Sequence, residues 1–256
     1  MKTACLIGNS HLGALKAGWD ARDASARPID VAFFGAKAQS LRRTFVQRGR
    51  LRSNDRQVRR SLERTGGAPE IDLSRYDMFL LVGVGLHFRF LARLALFACV
   101  HPHDSPGYRL ASRALLTEGF LPTVRGAAGW ELARNLSAAT DAPIYVMPEP
   151  FFGKGALASG EHPLVNHVHD VGMGEAFGDV FDKACEKAFA PYGRFVAQPR
   201  ATRADFIFTA DAYSLDAIGL KRMIDTDKEA REDDYVHKNA AYGEEMLRAF
   251  FETAAL

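Results

Sequence analysis

The sequence predicts an α/β fold of three layers, in which helices cover both faces of a mainly parallel β-sheet. The strand candidates are short and continuously apolar, as is typical of parallel strands buried on both faces. Stretches of helical length separate them, which a layered α/β domain requires. The predicted strands are Thr3–Gly8, Ile29–Phe34, Met78–Val84, Ala142–Met147 and Phe195–Gln198.

A residue that interrupts regular structure bounds each predicted strand. The first strand ends on a glycine, and Gly35 follows the second. The polar letters SRYD precede the third strand, Pro148 and Pro150 close the fourth, and Pro199 follows the fifth. Glycine and proline are the strongest local breaks in a strand pattern. These boundaries therefore support five separate strands.

Helical spacing fills most of the chain between the strands. We see no internal repeat and no low-complexity linker, so we expect one domain over residues 1–256. A stretch rich in glycine, histidine and proline, Gly153–Gly174, is predicted to be a long loop, and such loops are often functional. The predicted helices are Leu12–Trp19, Phe88–Cys99, Tyr108–Glu118, Trp130–Ala139, Glu175–Phe189 and Tyr235–Thr253.

Composition narrows the class of protein. Apolar residues make up 47% of the chain and charged residues 25%, which is ordinary for a globular domain. The net charge of +2 gives no overall affinity for polyanions, and we expect no nucleic-acid partner. The three cysteines, Cys5, Cys99 and Cys185, lie in apolar contexts and are predicted to be buried free thiols. With neither a signal-peptide core nor an 18-residue apolar run, we expect a cytoplasmic protein without a membrane span.

The first predicted strand leads into Gly8-Asn9-Ser10-His11, where a serine precedes a helix. Ligands of open α/β sheets bind beyond the carboxyl ends of the strands, so Ser10 stands where a reacting group is expected. A helix N-terminus also offers free N–H donors that stabilise an anion. In the alternative interpretation, Ser10 or Asn9 merely caps the helix.

A serine needs a base to become a nucleophile, and a candidate lies near the other end of the chain. Asp234-Tyr235-Val236-His237 places a carboxylate three residues before an imidazole, close enough to orient the ring. In the alternative interpretation, Asp234 is a helix N-cap and His237 is a surface residue of the first turn.

Together these two segments resemble the first and last signature blocks of the SGNH/GDSL family of serine hydrolases. The GDS of that family corresponds to Gly8-Asn9-Ser10, with Asn9 in place of the usual Asp, and its DxxH corresponds to Asp234–His237. The resemblance spans nearly the whole chain. It implies a flavodoxin-like fold, with Ser10 as nucleophile, His237 as general acid and base, and Asp234 as the residue that orients His237.

The middle blocks of the family match less closely. Gly35 follows the second strand, where the family has a glycine whose N–H joins the oxyanion hole together with the N–H of Ser10. The third block normally carries an asparagine that donates to the oxyanion. This chain has Gly85 there, or His87 in a shifted register. Losing one such donor costs about 10²–10³ in rate.

The resemblance implies ester hydrolysis without a cofactor, on a small-molecule ester. We expect removal of a small O-acyl group such as acetyl, with an acylated carbohydrate as one candidate substrate. Asn9, His11, Phe151 and Phe152 are the predicted substrate-binding residues, the two phenylalanines because they follow the fourth strand. Two alternatives use the same scaffold: an O-acyltransferase, and a glycan-binding module weakened in catalysis. The oligomeric state is not predicted.

Two further patterns offer competing functions. His101-Pro102-His103 and His167-Val168-His169 place paired imidazoles on what we interpret as extended segments, which would suit a metal-dependent hydrolase. The serine mechanism, in contrast, predicts no metal ligands. Nine arginines lie between Arg42 and Arg64, and we interpret this stretch as a solvated helical face or a lid beside Gly35.

Overall fold

The computed structural model describes residues 1–100, 109–219 and 234–256. In these ranges the strands are β1 (Thr3–Gly8), β2 (Asp30–Gly35), β3 (Thr44–Gln47), β4 (Arg50–Ser53), β5 (Ile71–Asp72), β6 (Met78–Val82), β7 (Ala98–Cys99), β8 (Arg109–Leu110), β9 (Ile144–Met147), β10 (Arg194–Phe195), β11 (Arg203–Ala204) and β12 (Phe208–Thr209). The α-helices are α1 (Leu12–Asp20), α2 (Ala38–Leu41), α3 (Arg56–Gly66), α4 (Arg89–Ala92), α5 (Arg113–Arg125), α6 (Ala128–Ser137), α7 (Ala156–Ser159), α8 (Pro163–Asp170), α9 (Gly174–Phe189) and α10 (Ala240–Ala254).

A parallel five-stranded sheet forms the centre of the fold. Its strands stand in the order β2-β1-β6-β9-β10, and every neighbouring pair is parallel. Numbered among themselves along the chain, these strands have the order 2-1-3-4-5, which is the flavodoxin-like order. The predicted fold class is therefore confirmed.

Helices cover both faces of this sheet, because alternate strand residues enter different cores. In β1, Cys5 and Ile7 pack with residues of α3, α5, α6 and α9. Ala4 and Leu6 point to the opposite face and pack with residues of α1 and α10. Strand side chains alternate between the two faces of a sheet, so a continuously apolar strand must be covered on both.

Four of the five predicted strands match β1, β2, β6 and β9 in position, whereas the fifth, Phe195–Gln198, shares only Phe195 with β10. Several helix predictions do not match. The predicted helix Phe88–Cys99 is instead the single turn α4, a 3₁₀ turn over Arg93–Leu96 and strand β7. The predicted long loop Gly153–Gly174 is also wrong, since it contains α7 and α8. Helix α5 begins only at Arg113, because the Ser112 hydroxyl caps it by accepting the Leu115 N–H at 3.1 Å.

The arginine-rich stretch is only partly helical. Its first half forms the hairpin of β3 and β4, which pairs further with β5. Here Arg43 binds Asp55, and Arg50 binds Glu70 at 2.5 Å. The second half is α3, which buries Val58 and Leu62 while its arginines face solvent. The expectation of a solvated helical face therefore holds for α3 alone.

Two predictions from composition can be compared with the described residues. All three cysteines are buried free thiols, as predicted. Among residues 1–100, 109–219 and 234–256, no helix combines the length and apolarity needed to cross a bilayer.

Candidate active site

The β1–α1 loop, residues 8–11, starts at the carboxyl end of the central strand. Gly8 pairs with Gly35 of β2 on one side and Val82 of β6 on the other. A Cβ at residue 8 would lie 2.5 Å from the Val82 carbonyl oxygen, so a larger residue would displace β6. The glycine therefore lets the loop turn directly into α1.

Asn9, and not Ser10, closes the turn at the start of α1. The Asn9 Oδ1 accepts the His11 N–H at 3.1 Å, and the Asn9 carbonyl accepts the Leu12 N–H at 3.1 Å. The Ser10 hydroxyl takes no part in capping. It lies 2.9 Å from the Nε2 of His237, 227 residues away in sequence.

The second segment, the Asp234–His237 turn, precedes the last helix. Helix α10 begins at Ala240, with Asn239 as its N-cap, so the alternative interpretation of Asp234 as a helix cap is wrong. The Asp234 Oδ2 lies 2.7 Å from the Nδ1 of His237. Because Nδ1–H donates to this carboxylate, Nε2 carries the lone pair that accepts the Ser10 hydroxyl proton.

Hydrogen bonds stabilise the ionised form of the Asp234 carboxylate. Its Oδ1 also accepts the N–H groups of Val236 at 3.1 Å and of His237 at 2.9 Å. Burial favours the neutral acid, but the bonds from the His237 ring and from these N–H groups outweigh it and hold the pKa of Asp234 well below its usual range. A fixed negative charge therefore faces the imidazole.

A buried lysine holds the opposite side of the same turn. The Lys238 Nζ donates to the carbonyls of Tyr235, Val236 and His237 at 2.8, 3.1 and 3.0 Å. The residue is 1% exposed, and burial lowers the pKa of Lys238 to about 7, against the opposing effect of Asp234. The N–H groups of the turn thus bind the Asp234 carboxylate, and its carbonyls bind the Lys238 ammonium group.

Two groups pack against the His237 ring. The ring of His11 lies 5.4 Å away between centroids. Gly219 is in closer contact, since a Cβ at this position would lie 3.3 Å from Nε2. The backbone at Gly219 thus borders the atom that faces Ser10.

Glu149, two residues beyond β9, links the loops at the ends of β1 and β6. Its Oε1 accepts the Asn9 Nδ2 at 3.0 Å and the Gly85 N–H at 3.1 Å. Its Oε2 lies 3.9 Å from the His11 Nε2. Burial opposes ionisation of this carboxyl, but His11, His87 and the Gly85 N–H outweigh it and lower the pKa of Glu149 to about 2.

Two of the predicted oxyanion donors, Gly35 and Gly85, are engaged with other groups of the protein. The Gly35 N–H donates to the Thr65 hydroxyl at 2.7 Å, and the Gly85 N–H donates to Glu149. Neither N–H is free for a substrate in this arrangement. The Ser10 N–H, in contrast, has no hydrogen-bond acceptor among the described residues.

His87 is a buried neutral imidazole. Burial lowers the pKa of His87 to about 3, so the ring is uncharged at neutral pH. Its Nδ1 accepts the Arg89 N–H at 3.0 Å, which leaves the proton on Nε2. Of the two predicted replacements for the family's asparagine, His87 is therefore the one that keeps a side-chain donor.

The predicted substrate-binding residues are mostly engaged with the protein. Phe151 is 2% exposed and packs against Phe88 and Phe181. Phe152 is equally buried and stacks on the His162 ring at 3.6 Å. Asn9 is likewise engaged, since its amide donates to Glu149. Contact of these three residues with a substrate stays a prediction.

His11, the fourth predicted substrate-binding residue, differs from these residues because one of its ring nitrogens is unpartnered within the described part of the chain. It is 5% exposed, and its buried Nδ1 has no hydrogen-bond partner among the residues that the structure describes. Burial lowers the pKa of His11, so the ring favours its neutral form.

The histidine pairs do not assemble a metal site among the described residues. His167 and His169 lie in helix α8, where residues two apart point to different sides, so the prediction of an extended segment is wrong. His101 and His103 lie outside the described residues. Within the described ranges, no group of three or more His, Cys, Asp or Glu side chains could hold a metal ion.

Sequence reasoning missed three residues of this site: Glu149, Lys238 and Gly219. Only Glu149 carried a usable signal, because it stands between Pro148 and Pro150 just beyond a predicted strand. Lys238 follows the histidine of the DxxH segment, but a lysine in an acid-rich stretch predicts a solvated side chain.

Comparisons with known proteins found no match in sequence and a distant similarity among solved structures. No protein-family model matches the chain, and no curated protein matches it in sequence. Among solved structures, the chain is similar to a catalytic mutant of an acetylxylan esterase from Geobacillus stearothermophilus. The TM-score is 0.40 and the sequence identity is 12%, with 98% of this chain and 93% of that chain covered.

Proposed function

We propose that this chain is a serine ester hydrolase of the SGNH type, with Ser10, His237 and Asp234 as its catalytic triad. One observation carries the proposal. Hydrogen-bond distances of 2.7 and 2.9 Å connect a carboxylate, an imidazole and a serine hydroxyl drawn from the two ends of the chain. This arrangement supplies the nucleophile, the base and the residue that orients the base.

The reaction has two stages. His237 takes the Ser10 hydroxyl proton while Oγ attacks the ester carbonyl, and the alcohol then leaves with the proton from His237. In the second stage a water gives a proton to His237 and attacks the acyl carbon. The Ser10 Oγ then leaves, recovers that proton, and the free acid is released. Asp234 stabilises the imidazolium in both stages.

The oxyanion donors we propose are the Ser10 N–H and the His87 Nε2–H. The Ser10 N–H stands ahead of helix α1, where the positive end of the helix dipole also favours negative charge. His87 is neutral and carries its proton on Nε2, so it can donate in place of the family's asparagine. We expect His87→Ala to lower kcat by about 10² while Ser10 stays reactive.

The acyl group we propose is small, such as acetyl, and a saccharide is the candidate alcohol. Phe151 and Phe152, the two side chains best placed in sequence to line a long apolar channel, are both packed against other rings. An acetyl group needs no such channel. An activated acetate ester is accordingly the first substrate to test, followed by octanoate, on which we expect a lower kcat/KM.

The test is covalent labelling with a fluorophosphonate, followed by intact-mass and peptide mass spectrometry. We expect one adduct, on Ser10, which is absent in Ser10→Ala and at least 10²-fold slower in His237→Ala. The matched controls are Ser137→Ala and His169→Ala. The His169 Nδ1 lies 3.1 Å from Asp170 and its Nε2 lies 3.8 Å from Asp205, so this acid–histidine pair has a carboxylate where His237 has Ser10. Absence of labelling in folded wild-type protein would refute the proposed function.

A further inference from the structure

Glu149 bonds to the residue before Ser10 and lies beside the residue after it. Asn9 donates its amide to Oε1 at 3.0 Å, and the His11 Nε2 lies 3.9 Å from Oε2. All three side chains are largely buried, with Glu149 13% exposed, Asn9 6% and His11 5%. The Glu149 carboxylate thus contacts the side chains of the residues on both sides of Ser10.

The same carboxylate also holds the loop after β6, residues 83–87. Gly85 donates its N–H to Oε1 at 3.1 Å, and the Glu149 N–H donates to the Leu86 carbonyl at 2.8 Å. Main chain and side chain of Glu149 therefore both bind this loop, which carries His87.

This loop needs external support because its backbone is unusual. Gly83, Val84 and Gly85 have φ values of 76°, 40° and 85°. Val84 is β-branched, and such residues rarely adopt positive φ, so surrounding contacts must hold the conformation. Asn9 is one such contact, because a Cβ at residue 83 would lie 2.5 Å from its Oδ1.

The amide of Asn9 is chemically matched to this position. Its oxygen accepts the His11 N–H within the loop, and its nitrogen donates to Glu149. An aspartate of the same shape would keep the first bond but place a second carboxylate oxygen where the amide nitrogen now lies, 3.0 Å from Glu149. Two carboxylates so close in a buried site cannot both be ionised without a large penalty.

We propose that Glu149 is a positioning residue that fixes the β1–α1 loop against the β6 loop, and that Asn9 and Glu149 work as a coupled amide–carboxylate pair. This inference rests on the proposed function of Ser10. Glu149 acts through Asn9, Gly85 and His11 and does not itself touch the reacting atoms.

The test compares wild type with Glu149→Gln, Glu149→Ala, Asn9→Asp and the double variant Asn9→Asp/Glu149→Gln. The measured quantities are the fluorophosphonate labelling rate of Ser10, kcat and KM on an activated acetate, and Tm. Glu118→Gln and Asn54→Asp are the matched controls, since both residues are exposed. We expect both controls to behave as wild type.

Glu149→Gln keeps its Oε1 acceptor, so we expect labelling within about threefold of wild type. Glu149→Ala loses the acceptor, and we expect labelling and kcat to fall about tenfold or more at similar KM. Asn9→Asp should slow labelling by about 10²-fold. Adding Glu149→Gln to Asn9→Asp removes the charge repulsion, so the double variant should recover at least about tenfold of this loss.

Three outcomes separate the possibilities. No labelling of wild type would refute the proposed function itself. Labelled wild type combined with an equal effect of Asn9→Asp in the presence and absence of Glu149→Gln would overturn the coupling. If the two variants that carry Asn9→Asp do not fold, Glu149→Ala decides the question. A wild-type labelling rate in that folded variant would overturn the positioning role.

Discussion

The two halves of the candidate site are held in place by different means. The β1–α1 loop continues a central strand, and the sheet itself fixes its start, with Gly8 paired to both neighbouring strands. The Asp234–His237 turn belongs to neither strand nor helix. Its N–H groups bind the Asp234 carboxylate and its carbonyls bind Lys238. The fold thus positions the serine, whereas a local polar network positions the histidine.

This difference determines how each half should respond to substitution. Changes at the start of the β1–α1 loop disturb the sheet, so activity and stability should fall together. Changes to the polar groups of the Asp234–His237 turn remove local hydrogen bonds but no strand pairing, so activity should fall much further than stability. Three substitutions below test the second statement, in order of decreasing effect.

The largest effect is expected from Asp234→Asn. The asparagine Oδ1 can still accept the Val236 and His237 N–H groups, which preserves the turn. Its Nδ2, however, faces Nδ1 of His237 and forces the ring proton onto Nε2, which then cannot accept from Ser10. We expect kcat to fall by about 10³-fold or more at similar Tm, measured with an activated acetate.

The matched control for this variant is Asp170→Asn, which removes the carboxylate beside His169. It should leave kcat unchanged, because that pair meets no serine among its described contacts. A loss of less than tenfold in Asp234→Asn would mean that His237 is oriented chiefly by other groups, such as the contacts with Gly219 and His11.

The sequence was sufficient to predict the sheet and the two segments of the proposed triad. Apolar runs such as Thr3–Gly8 predicted a covered, mainly parallel sheet, and the resemblance to a known family implied its flavodoxin-like strand order. Ser10 and His237 could be paired across 227 residues because each stands in a recognisable local motif. That pairing remains a prediction about chemistry until Ser10 reactivity is measured.

The surroundings of the triad could not be predicted, because they depend on side chains distant in sequence. Nothing near Gly35 indicates that the Thr65 hydroxyl accepts its N–H, and nothing near Gly85 indicates Glu149. Phe151 follows a strand end, as a pocket residue would, yet it packs on rings from α9 and the α4 region. Local spacing predicts where a residue lies along an element and not what fills the space beside it.

An intermediate effect is expected from Lys238→Met, which keeps the length of the side chain and removes its three hydrogen bonds. With the turn carbonyls unpaired, Asp234 and His237 lose alignment, and we expect kcat to fall about tenfold at similar KM. Lys187→Met is the control, since Lys187 is an exposed lysine paired with Glu118. A fall in Tm without a change in kcat would show that Lys238 serves stability alone.

The stability difference between wild type and Lys238→Met should depend on pH. Burial lowers the pKa of Lys238 to about 7 in the folded chain, below its unfolded value of about 10.4, although the negative charge of Asp234 acts to raise it. His11 also interacts electrostatically with Lys238. Between these values the unfolded state binds more protons, so the lysine's contribution to stability rises with pH. In urea unfolding at about pH 6, 8 and 9, the free energy of unfolding of wild type should increase relative to that of Lys238→Met only above about pH 7.

The smallest effect is expected from Gly219→Ala, which adds one methyl group beside the imidazole. The new Cβ would lie 3.3 Å from Nε2 of His237, which is slightly tighter than most Cβ contacts, so the ring or the segment at residue 219 must move by a few tenths of an ångström. Because the turn binds His237 through Asp234 rather than through the core, a small ring displacement is tolerated in folding but weakens the bond to Ser10. We expect the labelling rate to fall about three- to tenfold at unchanged Tm.

Gly119→Ala is the matched control, since Gly119 lies within α5 and no atom of the described part of the chain comes within 4 Å of the added methyl group. There alanine should raise Tm slightly, through helix propensity of about 1 kcal/mol, and leave labelling unchanged. Equal labelling rates in Gly219→Ala and wild type would mean that the segment at residue 219 yields to the ring at no cost. If Tm falls together with the labelling rate, the position of His237 depends on core packing, and the contrast between the two halves of the site does not hold.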